Sequence, residues 1–295
     1  MQILVTAGRL GFAAFVAAGV LAGGVLAAGA NEVARFRDPS KLVAIGGSLV
    51  EVIYELGEEG KLIARDSTGL YPEAALALPD VGYMRALSPE GVLSVDPSAI
   101  LMLEGSGPPE ALEVLAKASV EMVTVPETFD REGILKKIEV VGSALGVEDK
   151  AAALAEKIGK DIDAAEAATK DVSERKRVLF VLSMQGGRIL ASGTGSAANG
   201  IITMAGGVNA IQEFQGYKQL TDEAVQAARP DVVLMMSRGG DHSATAEQLF
   251  NHPAMIGTPA AENRALIQMD GSYLLGFGPR TAGAIRDLSR ALYGG

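Results

Sequence analysis

One tyrosine stands out for its setting. Tyr71 lies in Asp66-Ser67-Thr68-Gly69-Leu70-Tyr71-Pro72, and Leu78-Pro79-Asp80-Val81-Gly82-Tyr83-Met84-Arg85 follows shortly after. Glycine and proline punctuate both stretches, so each reads as loop, and a phenol on a short loop can reach a cleft. The other common transition-metal donors are scarce, since the 295 residues contain no cysteine and only two histidines, His242 and His252. A zinc or manganese cage of thiolates and imidazoles does not fit that inventory. Oxygen is what remains for a hard ferric centre, and a tyrosine phenolate is one of the known axial donors to haem iron. Chemistry alone leaves that role open beside the ordinary one, a half-buried loop aromatic with its hydroxyl in water.

Other segments invite a chemical reading and fail it. Ile45-Gly46-Gly47-Ser48 and Gly193-Thr194-Gly195 follow apolar runs, but neither completes G-x-G-x-x-G and no Gly-Lys-Ser/Thr follows, so dinucleotide and P-loop sites are not indicated. Ser48, Ser67 and Ser183 lack a histidine in a triad arrangement, and no G-x-S-x-G elbow occurs. An enzyme is therefore the weaker class of reading. His252, in Phe250-Asn251-His252-Pro253, reads as a structural or solvated residue at a helix end near the surface.

The elements that must position these residues alternate between short apolar strands and amphipathic helices. Leu42 to Ile45, Leu62 to Ala64, Ala99 to Leu103 and Glu121 to Val125 read as strands, with helices after Gly47, from Ser88 and from Pro108. Repeated βα units with short connections imply a parallel sheet. From about Arg131 to Lys170 the apolar residues fall three and four apart, with Gly146 separating two helices. The βα alternation then restarts. The expected architecture is two parallel-sheet α/β lobes, residues 31–146 and 171–295, joined by one long helix at 147–170, with a ligand in the cleft between them.

Residues 1–30 form a separate segment. Arg9 precedes an uncharged run, Leu10 to Ala30, that closes on Ala28-Gly29-Ala30, the pattern of a cleaved signal peptide, with an uncleaved membrane anchor as the alternative. Export to a periplasm suits a chain without cysteine. A net charge of −10 argues against nucleic acid as partner, while 48% hydrophobic and 21% charged residues describe a packed globular protein, expected to be monomeric.

Read together, these loops and elements resemble the helix-linked class of periplasmic substrate-binding proteins that serve ABC importers of cobalamin, ferric siderophores and haem, and most closely its haemin-binding members. The segments that carry the likeness are the two loops above with Glu90-Gly91-Val92-Leu93-Ser94; Gly206-Gly207-Val208-Asn209-Ala210; Gly216-Tyr217-Lys218; and Thr258-Pro259-Ala260 through Leu274-Leu275-Gly276-Phe277-Gly278-Pro279-Arg280. The resemblance implies that ferric haem is the transported ligand, that Tyr71 is its axial ligand, and that an inner-membrane permease with its ATPase receives it, an outer-membrane receptor system supplying the haem. A ferric siderophore or cobalamin is the alternative ligand. Arg238 is the expected guanidinium beside the phenolate. Tyr83, Met84 and Met184 are expected on the haem surface. In parts of this family a basic residue stands two positions after the tyrosine, where this chain has Glu73, so Arg85 and Arg188 become the expected propionate partners. The stretch Leu182-Ser183-Met184-Gln185-Gly186-Gly187, expected as a loop, lacks the histidine that some relatives offer for a second haem, and one haem is expected. Glu90 and Glu223, at matching helix starts, are the expected permease contacts.

Overall fold

The computed structural model describes residues 35–237 and 245–294. The leader at 1–30, Arg238 and His242 therefore lie outside the described residues. In the first half, β1 (Leu42–Ile45), α1 (Gly47–Glu55), β2 (Leu62–Arg65), α2 (Pro89–Leu93), β3 (Ala99–Leu103), α3 (Pro109–Lys117) and β4 (Glu121–Val125) alternate as the sequence implies. Their sheet is wholly parallel in the order β2-β1-β3-β4. β1 and β3 are the central strands and every residue of both is buried, which is why they read as continuous apolar runs rather than as alternation.

Two helices follow, α4 (Arg131–Leu145) and α5 (Glu148–Ala167). α4 starts at Asp130, whose carboxylate accepts the Gly133 N–H at 2.7 Å, and stops at Gly146, whose left-handed φ of 71° ends the helix. The 20 residues of α5 span roughly 30 Å. Its apolar stripe, Ala151, Leu154, Ile158 and Ile162, is buried, and α5 packs against α4 and the last helix, α11 (Thr281–Tyr293).

The second half contains β5 (Arg177–Gln185), β6 (Arg188–Ser192), α6 (Ala197–Met204), β7 (Val208–Asn209), β8 (Tyr217–Leu220), α7 (Asp222–Ala228), β9 (Val232–Ser237), α8 (Ala246–Phe250), α9 (Pro259–Glu262), β10 (Leu266–Asp270), α10 (Gly271–Leu275) and α11. The strand order is β10-β9-β5-β6-β8, with β7 beside β5. This sheet departs from the expected all-parallel plan. β10, β9 and β5 run parallel, but β6 pairs antiparallel with both β5 and β8. The reason is local: Gly186 and Gly187 both have positive φ, 58° and 72°, between paired Gln185 and Arg188. A two-residue turn of that kind makes a tight hairpin, because its twist matches the strands. The stretch expected as a loop around Met184 is therefore the end of a strand.

The halves meet at a continuous core. Its largest apolar cluster includes Leu49, Val50 and Ile53 of α1, Ile134 and Ile138 of α4, Ile158 of α5, Phe180 of β5, Ile201 of α6 and Ile285 of α11. Glycine permits the closest approaches: a Cβ at Gly200 of α6 would lie 2.3 Å from the Phe129 carbonyl oxygen, and one at Gly278 would lie 3.1 Å from Ser48 Cβ. Phe129 and Phe277 meet edge to face at 5.2 Å.

A charged residue sits inside this junction. Lys137 of α4 is fully buried, and its ammonium donates to Glu127 Oε1 at 2.8 Å, Ser48 Oγ at 3.0 Å and the Phe277 carbonyl at 2.8 Å. Burial pulls the lysine's pKa down, while Glu127 and Glu51 act to keep it charged. Removing one member of such a set strands the other. Lys137→Ala should therefore cost about 3–5 kcal/mol in urea denaturation, and Lys137→Met with Glu127→Leu should recover most of that loss; a double variant as unstable as the single would show that the pair itself holds the junction.

Candidate functional site

The loop that carries Tyr71 is braced from beneath by one carboxylate. Asp66, at the end of β2, is fully buried. Its Oδ1 accepts the Gly46 N–H at 2.9 Å and the Thr68 hydroxyl at 2.8 Å, while Oδ2 accepts the Thr68 and Met84 N–H groups, each at 3.2 Å. A single side chain thus ties the end of β1, the Tyr71 loop and the Tyr83-Met84-Arg85 loop to one another. Burial pushes its pKa up, and these four donors pull it partly back. A second tie runs alongside. Arg65 Nη1 donates to Asp80 Oδ2 at 2.7 Å, and Asp80 Oδ1 accepts the Ser67 hydroxyl and the Gly82 N–H. Burial would raise the Asp80 pKa, but the Gly82 N–H, Arg65 and Ser67 outweigh it and hold it low. Gly47 completes the fit, because a Cβ there would meet the Thr68 carbonyl oxygen at 2.3 Å.

On this base Tyr71 is 45% exposed and Tyr83 is 46% exposed, with Leu70 and Leu76 also open. A guanidinium lies on the Tyr71 ring, but it belongs to Arg280, the N-cap residue of α11, whose Cζ is 3.9 Å from the ring centroid. Arg280 donates from Nη2 to Glu51 Oε1 at 2.6 Å and from Nε to Glu51 Oε2 at 3.0 Å. Burial would lower the arginine's pKa, and the Glu51 pair more than offsets this. Burial raises the Glu51 carboxyl, against the pull of Arg280 and Lys137. On the other side Arg280 lies 5.4 Å from the Tyr273 ring. The Tyr273 hydroxyl donates to Asp287 Oδ2 at 2.9 Å, and burial together with that carboxylate pushes its pKa up to about 12.

The other expected residues divide. Arg85 is exposed; burial raises the Glu127 carboxyl and the Tyr217 phenol, and the Arg85 charge pulls both partly back. A cavity of about 310 Å³ is lined by Glu127 to Asp130 of the first half and by Gly195, Ser196, Asn199 and Gly200 of the second. Met84 is half buried and packs on the first-half core. Met184, on β5 opposite Ile189, is half buried and packs against the second half's own core cluster. Arg188 is exposed at the start of β6, with Nη1 3.4 Å from Gln219 Oε1; no hydrogen bond or ion pair among the described residues links it to Tyr71. His252 is structural as expected: Nδ1 accepts the Ala254 N–H at 3.1 Å, which leaves Nε2 to donate to the Gly187 carbonyl at 2.9 Å. Glu90 and Glu223 are exposed at the second position of α2 and α7, one residue after Pro89 and Asp222. Ser88 and Thr221 cap those helices by accepting the N–H of Gly91 and Ala224. The Glu223 carboxyl is held low by its own backbone N–H and the Thr221 hydroxyl.

Sequence reasoning missed Arg280 and Glu51. Arg280 stood in a segment that carried the family likeness, but nothing local distinguishes it from a surface arginine at a helix start. Glu51 carried a usable signal. It falls in the all-buried run Ser48 to Ile53 of α1, and a carboxylate there requires a partner.

The profile of a periplasmic binding protein family matches residues 42–273. The structure described as periplasmic heme-binding protein BhuT in complex with two hemes is 39% identical, covers 85% of this chain and 97% of its own, and superposes with a TM-score of 0.81. Periplasmic heme-binding protein RhuT from Roseiflexus sp. RS-1, in apo form, is 33% identical over 86% of this chain and 98% of its own, with a TM-score of 0.82. An uncharacterized ABC transporter substrate-binding lipoprotein, YvrC of Bacillus subtilis (strain 168), is 24% identical over 260 residues, 87% of this chain and 81% of that protein.

The Asp66 brace makes a direct expectation. Asp66→Ala leaves three backbone N–H groups without their side-chain acceptor, which should cost about 2–4 kcal/mol of stability. Amide exchange should rise at Thr68 and Met84; unchanged exchange at both would mean the loops are held by packing alone.

Proposed function

The chain belongs to the periplasmic binding protein family, and from that membership we propose that it binds ferric haem against the Tyr71 face and delivers it to an ABC-type importer of the inner membrane. Tyr71 carries the reading: it is an exposed phenol on a braced loop, flanked by open apolar side chains and backed by a guanidinium. A porphyrin needs apolar contact over its faces and one donor to iron, and this surface supplies both kinds of group. The role is carriage rather than catalysis, so the site must hold and release without changing its cargo. A cleaved leader at residues 1–30 would deliver the protein to the periplasm as a monomer, the haem arriving there from an outer-membrane receptor system.

Within this reading the two lobes, taken as 31–146 and 171–295 about the linking helix at 147–170, close on a single haem. Arg85, exposed on the loop that Asp66 ties to the Tyr71 loop, is the propionate partner we favour. Tyr83 and Met84 border the porphyrin, while Arg188 is retained only as a more distant cation. Arg238 lies outside the described residues and is carried from the sequence resemblance alone, as a proposed guanidinium partner of the phenolate.

Haemin titration of the purified mature chain should give one Soret transition per protein, with a high-spin ferric spectrum and a phenolate-to-iron charge-transfer band. Tyr71→Ala should remove that band and weaken binding by about tenfold or more; an unchanged spectrum and affinity would dismiss Tyr71 as the ligand, and no Soret binding by the parent chain would dismiss haem.

We also propose that Glu90 and Glu223 dock the protein on the permease through basic partners. Complementary charge at two separated points sets both encounter and register. Glu90→Lys with Glu223→Lys should abolish haem-dependent ATPase stimulation in reconstituted transporter while leaving haem binding intact, and either change alone should weaken it less. Full stimulation by the double variant would return both residues to their helix starts.

A further inference from the structure

We propose that Arg280 is a positioning residue for the Tyr71 ligand, one whose stack on the ring ties the ligand's orientation to the contact between the two halves. The inference rests on the haem reading above. Three observations carry it. The guanidinium is 3.9 Å from the Tyr71 centroid, within stacking distance of a ring that is otherwise half open to solvent. Its own orientation is set by two parallel hydrogen bonds to Glu51, a buried carboxylate of α1. And the partners come from different halves: Tyr71 and Glu51 belong to the first, whereas Arg280 begins α11 of the second.

The physical consequence follows from geometry. An exposed tyrosine on a loop samples several rotamers, and a donor to iron must present its oxygen in one of them. A flat cation on the ring face removes much of that freedom, and arginine suits the task better than lysine because its plane stacks while its fork still grips a carboxylate. Glycine keeps the surroundings close, since a Cβ at Gly278 would lie 3.1 Å from Ser48 Cβ and one at Gly283 would approach the Tyr273 hydroxyl to 2.5 Å. Any movement that draws α11 away from α1 breaks the Glu51 bridge and the Tyr71 stack together. Separation of the halves on a permease would then loosen the iron ligand at the moment of transfer.

Three variants test this: Arg280→Gln, Arg280→Lys and Glu51→Gln. Each is measured for haem loss to a scavenging apoprotein, for the ferric electron-paramagnetic-resonance signal and for melting of the haem-free chain. Arg280→Gln should speed haem loss by about tenfold and broaden the ferric signal while the charge-transfer band persists, since Tyr71 still ligates. Glu51→Gln should do the same with Arg280 intact. Arg280→Lys should fall between, keeping the ion pair and losing the flat stack. In a Tyr71→Ala background Arg280→Gln should add nothing to the rate of loss. Unchanged loss and signal in Arg280→Gln, with Tyr71→Ala still abolishing the charge-transfer band, would overturn the inference and leave the haem reading standing. An additive effect in the double variant would also overturn it, making Arg280 an independent contact to the porphyrin. If Tyr71→Ala itself changes nothing, the haem reading fails first.

Discussion

An ammonium group taken out of water is tolerated only where oxygens replace its hydration, and the position of Lys137 turns that demand into architecture. Its three acceptors come from three places: the hydroxyl of Ser48 at the start of α1, the carboxylate of Glu127 beyond β4, and the backbone carbonyl of Phe277 just before α11. The first two belong to one half and the third to the other. Phe277 holds a left-handed φ of 48°, a conformation that costs about 1–3 kcal/mol in a non-glycine residue and persists only where the surroundings require it. Here the requirement is visible: the carbonyl is aimed at the lysine and the ring is seated against Phe129.

Three residues further on, Arg280 repeats the logic at the edge of the same junction. Glu51 is the buried charge of α1, and its partner again arrives from the segment that begins α11. The two contacts reinforce each other because Phe277 to Arg280 is a single short stretch of chain. Lys137 fixes one end of it and Glu51 the other. Arg280, so fixed, presents its free face to Tyr71. The exposed phenol is thus the outermost member of a chain of charge contacts that starts in the core.

This arrangement bears on how such a carrier holds cargo. A continuous apolar core across α1, α4, α5 and α11 resists wide separation of the halves, since opening it would expose buried surface. Small displacements at the cleft edge are less costly, and that edge is where the Arg280 bridge sits. A site that releases by local loosening rather than by full opening is consistent with that distribution of contacts.

Much of this was legible before any coordinates. The alternation of buried strands and amphipathic helices identified the first sheet, Gly146 divided α4 from α5, Ser88 announced its cap, and the scarcity of histidine and cysteine directed attention to a tyrosine. Those features depend on neighbours a few residues apart, and periodicity, capping and donor chemistry are local properties. The Gly186-Gly187 hairpin was equally local, a double glycine between strand-forming residues, and its signal was simply outweighed by the expectation of a parallel sheet. What only the tertiary structure decided is which charges meet. Glu51 and Arg280 are separated by 229 residues, and Lys137 and the Phe277 carbonyl by 140. No spacing rule connects positions that far apart; they become neighbours only because the core places α1, α4 and the start of α11 against one another, and it is there that Tyr71 acquires its guanidinium.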